Sequence, residues 1–233
     1  MLRTDKIAAA LFFVIAVVLL GAAFKGAMPW TEVLGALTGA AGVYLTVKRS
    51  IWNFPIGLAN NLFFGILFFE SRLYNDMGLQ VVYFVLGVWG WAVWAQGLSR
   101  NEVLPIGRAG WPQLVGCLVF IGLGTFVMTR VATYWGGASP FWDALTTAIC
   151  LGAQYMLGRK WLENWGFWLL ADIIYVPLYL SRGLYLTSVL YFGFGCLCVM
   201  GFLGWLKQWE LERKRDDIHP PEPPITIGQG AQA

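Results

Sequence analysis

Charge is what this chain has least of. Of its 233 residues 12% are Asp, Glu, Lys or Arg and 58% are apolar, with a mean hydropathy of +0.62. A soluble domain carries about 25% charged residues, so a water-facing surface cannot be built from this supply and the chain is read as an integral membrane protein. Histidine is scarcer still. The one copy, His219, lies in a Pro- and Gly-rich terminus, HPPEPPITIGQGAQA, expected to be disordered. No histidine acid–base pair or metal cluster can therefore form within the apolar part. The four cysteines, Cys117, Cys150, Cys196 and Cys198, all stand in apolar runs without the spacing of a zinc ribbon or a secreted disulfide framework, and read as packing. No glycine-rich Walker loop occurs, which argues against a directly ATP-driven pump. An intramembrane aspartyl protease would have to pair Asp143 with Asp172, and the Gly-Asp signature is missing. The reading is a non-enzyme that needs no cofactor.

What the sequence has in abundance is long apolar runs. A window of about 19 residues finds eight, near 7–24, 29–47, 52–70, 76–97, 111–131, 139–157, 163–181 and 184–206, each long enough to cross about 30 Å of hydrocarbon as a helix. The first could be a cleaved signal peptide, but its apolar run exceeds a signal core of about 7 to 15 residues and is kept as a helix. Twelve bases, from Arg3 and Lys6 through Lys48, Arg49, Arg100, Arg108, Arg159 and Lys160 to the tail, fall on one side, and four, Lys25, Arg72, Arg130 and Arg182, on the other. That asymmetry places both termini of a multi-pass bacterial inner-membrane protein in the cytoplasm. It also makes the basic tail a topology signal rather than a nucleic-acid site.

Shifted by 111 residues, the chain matches itself without a gap: Tyr44 meets Tyr155, Asn53 meets Asn164, Tyr74 meets Tyr185, Gly90 meets Gly201 and Trp94 meets Trp205. Equivalent spans lie four apart, so the two triplets run in the same direction. The fold class expected is all-α, eight transmembrane helices in a 1+3+1+3 plan with two parallel three-helix repeats. Residues 1–28 form an additional helix, 29–97 the first repeat, 98–138 a loop and linker helix, 139–206 the second repeat, and 207–233 a disordered tail. Parallel repeats about an axis normal to the membrane are a transporter plan, with the solute site between them.

Asn164, Trp168, Asp172 and Tyr175 follow at helical spacing on one face of the seventh span. In the first repeat Asn53, Asn60 and Phe64 do the same, with Gln80 and Tyr83 on the next span. Amides in hydrocarbon need partners, so these faces point inward, either as ordinary interhelical glue or as a site. Asp172 is the more demanding, because a mid-membrane carboxylate costs about 2.5 to 3.5 kcal/mol even on a lenient scale. A base, a proton or a cationic solute would each relieve it; the bases flank the spans, and Trp168, one turn away, offers a π face to a cation. Trp142 and Asp143, just after Pro140, either cap their helix or line the site. Six tryptophans at span ends, Trp30, Trp52, Trp111, Trp161, Trp205 and Trp209, are explained by interfacial belting.

The segments NFPIGLANNLFFGILFF (53–69), LYNDMGLQVVYFVLGVWGWAVW (73–94), PFWDA (140–144) and ENWGFW (163–168) together resemble the PnuC-type vitamin transporters, over about 155 residues. Members of that family import nicotinamide riboside and, in related branches, thiamine or riboflavin. The resemblance implies a SWEET-like arrangement, a homotrimer, and facilitated diffusion with trapping by cytosolic phosphorylation. It implies Asn164, Trp168, Gln80 and Asn60 as binding residues, and a small cationic vitamin or nucleoside and the lipid bilayer as partners. Asp172 and Gly87 depart from the nicotinamide riboside pattern, which has Asn at both, and leave thiamine as the second candidate solute. A membrane receptor for the same vitamin, without transport, is the rival from another class.

Overall fold

The computed structural model describes residues 17, 20, 21, 23–26, 30–70, 74–99, 104–134, 139–181 and 185–218. Seven helices occupy them: α1 (Trp30–Val47), α2 (Asn53–Glu70), α3 (Tyr74–Ser99), α4 (Trp111–Tyr134), α5 (Pro140–Gly158), α6 (Asn164–Ser181) and α7 (Tyr185–Ile218). They coincide with the second to eighth apolar runs. The first run lies almost wholly outside the described residues; of its described positions, Ala23 is buried against Val33 of α1. Three of the helices, at Met77–Gln96, Trp111–Tyr134 and Ser188–Arg215, are long and apolar enough to cross a membrane by composition alone. The remaining four are shorter, and α2 and α6 carry the amides and the acid.

The helices close into a ring. α1 packs on α2, α2 on α3, α3 on α5, α5 on α6, α6 on α7, and α7 returns to α1, while α4 lies outside the ring against α5. α2 and α6 consequently stand opposite one another.

Contacts that build one half recur 111 residues later. α1 and α5 both end in a Schellman motif, with Ser50 N–H donating to Leu45 O and Arg49 N–H to Thr46 O in one, and Trp161 N–H to Met156 O and Lys160 N–H to Leu157 O in the other. The left-handed residue such a turn requires is usually glycine; here it is Arg49 (φ 57°) and Lys160 (φ 58°). Asn53 then ties its Nδ2 to Ser50 O at 2.7 Å, as Asn164 does to Trp161 O at 2.5 Å. Phe54 meets Trp94 edge-on at 5.1 Å, and Trp165 meets Trp205 edge-on at 5.5 Å. Both approaches depend on a missing side chain. A Cβ on Gly90 would lie 2.8 Å from the Phe54 ring, and one on Gly201 would lie 2.5 Å from Trp165.

These contacts make an aromatic core at the end of the bundle that carries Lys48, Arg49, Arg108, Arg159 and Lys160, called here the basic end. Residues 104–110 lie across it. Ile106 is buried in the core, its N–H donates to Glu212 Oε2 at 3.2 Å, and Gly107 pairs with the α5–α6 turn through Gly107 N–H to Lys160 O (3.1 Å) and Leu162 N–H to Gly107 O (3.0 Å). Glu163 takes Arg108 Nε and the Ala109 N–H. Lys160 is itself buried, donating to Leu104 O and standing 4.8 Å from the Trp94 ring centroid. Burial pushes its ammonium down to about 8, with Glu212 pulling it up and Arg49 pushing it further down.

Two sequence expectations change here. α7 runs to Ile218, past the boundary expected at 206, and its polar extension has partners: Gln208 bonds Glu212, Glu212 holds the crossing segment, and Arg108 and Arg213 both lie over Trp209. At 1.5 Å per residue this helix is about 50 Å long and must project beyond the hydrocarbon. Residues 219–233, also expected to be disordered, lie outside the described residues. Trp205, expected as an interfacial belt residue, is 0% exposed and sits in the core; Trp52 and Trp111, at 65% and 77% exposed, do suit a belt.

Candidate functional site

α6 turns Gly166, Leu170, Ile173 and Pro177 outward, all exposed. On its opposite side, facing into the ring, run Asn164, Trp168, Asp172, Tyr175 and Tyr179. Asn164 is fully buried; its Nδ2 closes the α5–α6 turn, and its Oδ1 has no partner. Trp168 packs against both the basic-end core and a second core formed by Ile121, Ala148, Ile149, Cys150 and Ala171. Asp172 is 7% exposed and accepts from the Cys198 thiol at 3.5 Å, and no base pairs with it among the described residues. Gly195 of α7 faces this position, where a Cβ would stand in ordinary contact with Leu169 and Asp172 at 3.6 and 3.8 Å.

Toward the other end, tyrosines from three helices converge. Tyr83 of α3 and Tyr175 of α6 both reach the Cys150 thiol on α5, and Tyr175 also reaches Thr146. Tyr191 of α7 lies 4.6 Å from Tyr175 and 5.1 Å from Tyr179, ring centre to ring centre. Ser188 bonds Val176 O, next to Pro177, whose ring removes a backbone donor from α6. A cavity of about 240 Å³ runs along the α6–α7 seam, lined by Leu169, Asp172, Ile173, Val176, Tyr191, Phe192, Gly195, Cys196 and Val199. Ile173, Phe192, Cys196 and Val199 of this lining are exposed, so the groove opens on the outer side of the α6–α7 seam and reaches Asp172 from outside the ring.

The residues expected in the first half divide. Asn53 is buried and caps the turn beside it. Asn60 points to α1, donating to Gly35 O at 2.6 Å and to Thr38 Oγ1 at 3.3 Å, so it ties α1 to α2. At the 111-residue offset Asn60 corresponds to Ala171, which is buried in the second core, and Asp172 corresponds to Asn61. Asn61 is half-buried and makes no protein hydrogen bond among the described residues. Sequence reasoning passed over it for its neighbour; the offset was the signal that identifies it. Gln80 is half-buried on α3 beside Gly65 of α2, and its counterpart is Tyr191. One half thus presents Asn61 and Gln80 where the other presents Asp172 and Tyr191. Trp142, 48% exposed, and Asp143, also exposed, start α5 and join neither group.

The arrangement can hold a flat cation: one carboxylate, one indole a turn away, a wall of phenols, and neutral amides on the facing helix.

Comparison with known proteins places this geometry. Residues 29–207 match the family described as nicotinamide mononucleotide transporter. The nicotinamide riboside transporter PnuC of Escherichia coli is 30% identical over 207 residues, covering 77% of this chain and 86% of that protein. The riboflavin/roseoflavin transporter RibM of Streptomyces davaonensis is 26% identical over 193 residues, covering 80% and 87%. The crystal structure of the vitamin B3 transporter PnuC superposes with a TM-score of 0.68 at 22% identity, over 88% of this chain and 92% of that one, a likeness of fold. The chain belongs to the nicotinamide mononucleotide transporter family, the PnuC transporters.

Proposed function

We propose that this chain carries nicotinamide riboside across the bacterial inner membrane by facilitated diffusion, the solute being trapped by phosphorylation in the cytoplasm. The observation that carries the reading is Asp172: a buried carboxylate without a base among the described residues, on the inward face of α6, one turn from Trp168 and beside a tyrosine cluster. A positively charged pyridinium ring supplies the missing countercharge and stacks on the indole. Asn61 and Gln80, whose amides have no protein partner among the described residues, are placed to bond ribose hydroxyls or a carboxamide from the facing side, and Asn164 offers its spare Oδ1.

The architecture behind it is read as 1+3+1+3, with α1–α3 and α5–α7 as parallel repeats, α4 as the linker that keeps them parallel, and an added N-terminal helix. Support comes from the contacts duplicated at 111 residues and from the ring order, in which α3 meets α5 as α7 meets α1. The basic end faces the cytoplasm on the loop-charge rule, so both termini lie there. Assembly as a homotrimer is carried over from the family resemblance alone.

Thiamine, also a cation, satisfies Asp172 equally well. Riboflavin, which the name of the Streptomyces relative suggests, is neutral and leaves the acid uncompensated. Reconstituted protein should bind nicotinamide riboside calorimetrically and exchange labelled nicotinamide riboside across liposomes that contain only buffer. Binding without exchange would make the chain a receptor, and binding of thiamine alone would change the solute.

A further inference from the structure

Two seams join the halves of the ring, α3 against α5 and α7 against α1. At the basic end each is closed by one indole. Trp94 Nε1 donates to Leu157 O at 3.2 Å, and Trp205 Nε1 donates to Thr46 O at 3.1 Å. Both acceptors sit in the last turn of a helix, where each carbonyl already takes the N–H of the left-handed residue, Lys160 on Leu157 O and Arg49 on Thr46 O, and accepts the indole as a second donor. The Schellman turns that place Arg49 and Lys160 in the left-handed region also fix these carbonyls. Trp94 and Trp205 are 4% and 0% exposed, and their rings meet at 6.1 Å, so the two closures touch each other.

We propose that Trp94 and Trp205 form the gate at the basic end, a pair of indole-to-carbonyl latches that must both release for the interior to open on that side. Any rocking of α1–α3 against α5–α7 that opens this end has to part both seams, and breaking one indole bond leaves a buried indole N–H unpaired until water enters, while the carbonyl keeps its Schellman bond. The latches are unequal. The α3–α5 seam has extra hold from Lys160 over the Trp94 ring, while no such cation stands over Trp205 among the described residues. The α7–α1 seam is therefore the weaker.

The gate rests on the transport reading, yet its test does not require the solute to be known. Cys198 is buried in the basic-end core, two turns from Trp205 on the same face of α7. In full-length protein with Cys117, Cys150 and Cys196 changed to Ala, it is the sole thiol. The protein is reconstituted in liposomes, and a membrane-impermeant maleimide is added to one face at a time. Trp205→Phe keeps the ring and loses the N–H, and should speed Cys198 labelling from the basic side by about 3- to 10-fold, with no change from the other side. Trp94→Phe should act in the same direction and less strongly, and Trp91→Phe, on the exposed face of α3, should change nothing. Unchanged labelling in both gate variants, or equal acceleration from both faces, would overturn the gate. Side-specific acceleration in a protein that fails to carry nicotinamide riboside would refute the solute and leave the gate standing.

Discussion

Cys198 donates its thiol to Asp172 across the α6–α7 seam at 3.5 Å, and this weak donor is the hydrogen bond that the buried acid receives from the protein among the described residues. A thiol does not compensate a carboxylate, and the cationic solute proposed above would. Asp172→Asn should weaken binding of a cationic vitamin by about 10- to 100-fold and that of a neutral isostere far less. Calorimetry with both ligands decides it, equal losses ruling out charge pairing. Should the acid instead carry a proton through the cycle, the same variant would bind normally and lose the pH dependence of uptake.

Trp168 spans the two cores and supplies the aromatic face next to the acid. Trp168→Leu should reduce affinity for the cation by about 10- to 30-fold while Trp168→Phe retains most of it, since the ring quadrupole is the attracting element. Loss of folding in both variants, seen by thermal melting in detergent, would mark the indole as core alone.

The neighbours Asn60 and Asn61 should separate cleanly. Asn60→Ala removes the tie to Gly35 O and Thr38 and should cost about 1 to 2 kcal/mol of stability with little effect on the dissociation constant. Asn61→Ala should leave melting unchanged and weaken ligand binding by about 3- to 10-fold, one hydrogen bond's worth. The reverse pattern would exchange their roles.

Gly201→Ala should be among the most damaging single-methyl changes, because the Cβ would lie 2.5 Å from a Trp165 ring that is itself 2% exposed. A loss of about 1 to 3 kcal/mol is expected, visible as a lowered melting temperature, with Gly90→Ala close behind.

Lys160 ties stability to pH at the alkaline side. Its folded value is depressed to about 8 from 10.5, so between those two pH values the unfolded chain holds a proton that the folded chain has released. Stability should therefore rise with pH through that window, and Lys160→Met should flatten the rise. If the attraction to Trp94 outweighs desolvation, the folded value is not depressed and the rise between pH 7.5 and 9.5 is absent, so melting curves at those two pH values distinguish the two.

Much of the architecture was legible without coordinates. Hydrophobic runs mark helices because each span must be long, apolar and internally hydrogen-bonded to exist in lipid, a constraint that acts on every residue locally. The ends of α1, α2, α4, α5 and α6 accordingly lie within a few residues of the limits read from composition, and the offset of 111 residues anticipated the paired Trp94 and Trp205. Rotation of a helix about its own axis is another matter. Asn60 and Asn61 are indistinguishable by hydropathy, and it is the contact of α2 with Gly35 and Thr38 that turns the first toward α1 and frees the second. Trp205 near an apolar run's end looks like any interfacial tryptophan until α7 meets α1 and buries it. The polar stretch after 206 is rich in helix formers, and what apolar windowing could not show is that residues 104–110 pack against it. Periodicity determined which segments form the apolar helices; contact between distant segments decided which of their side chains pack against a neighbour and which turn toward the middle of the ring, since that depends on shapes no local pattern encodes.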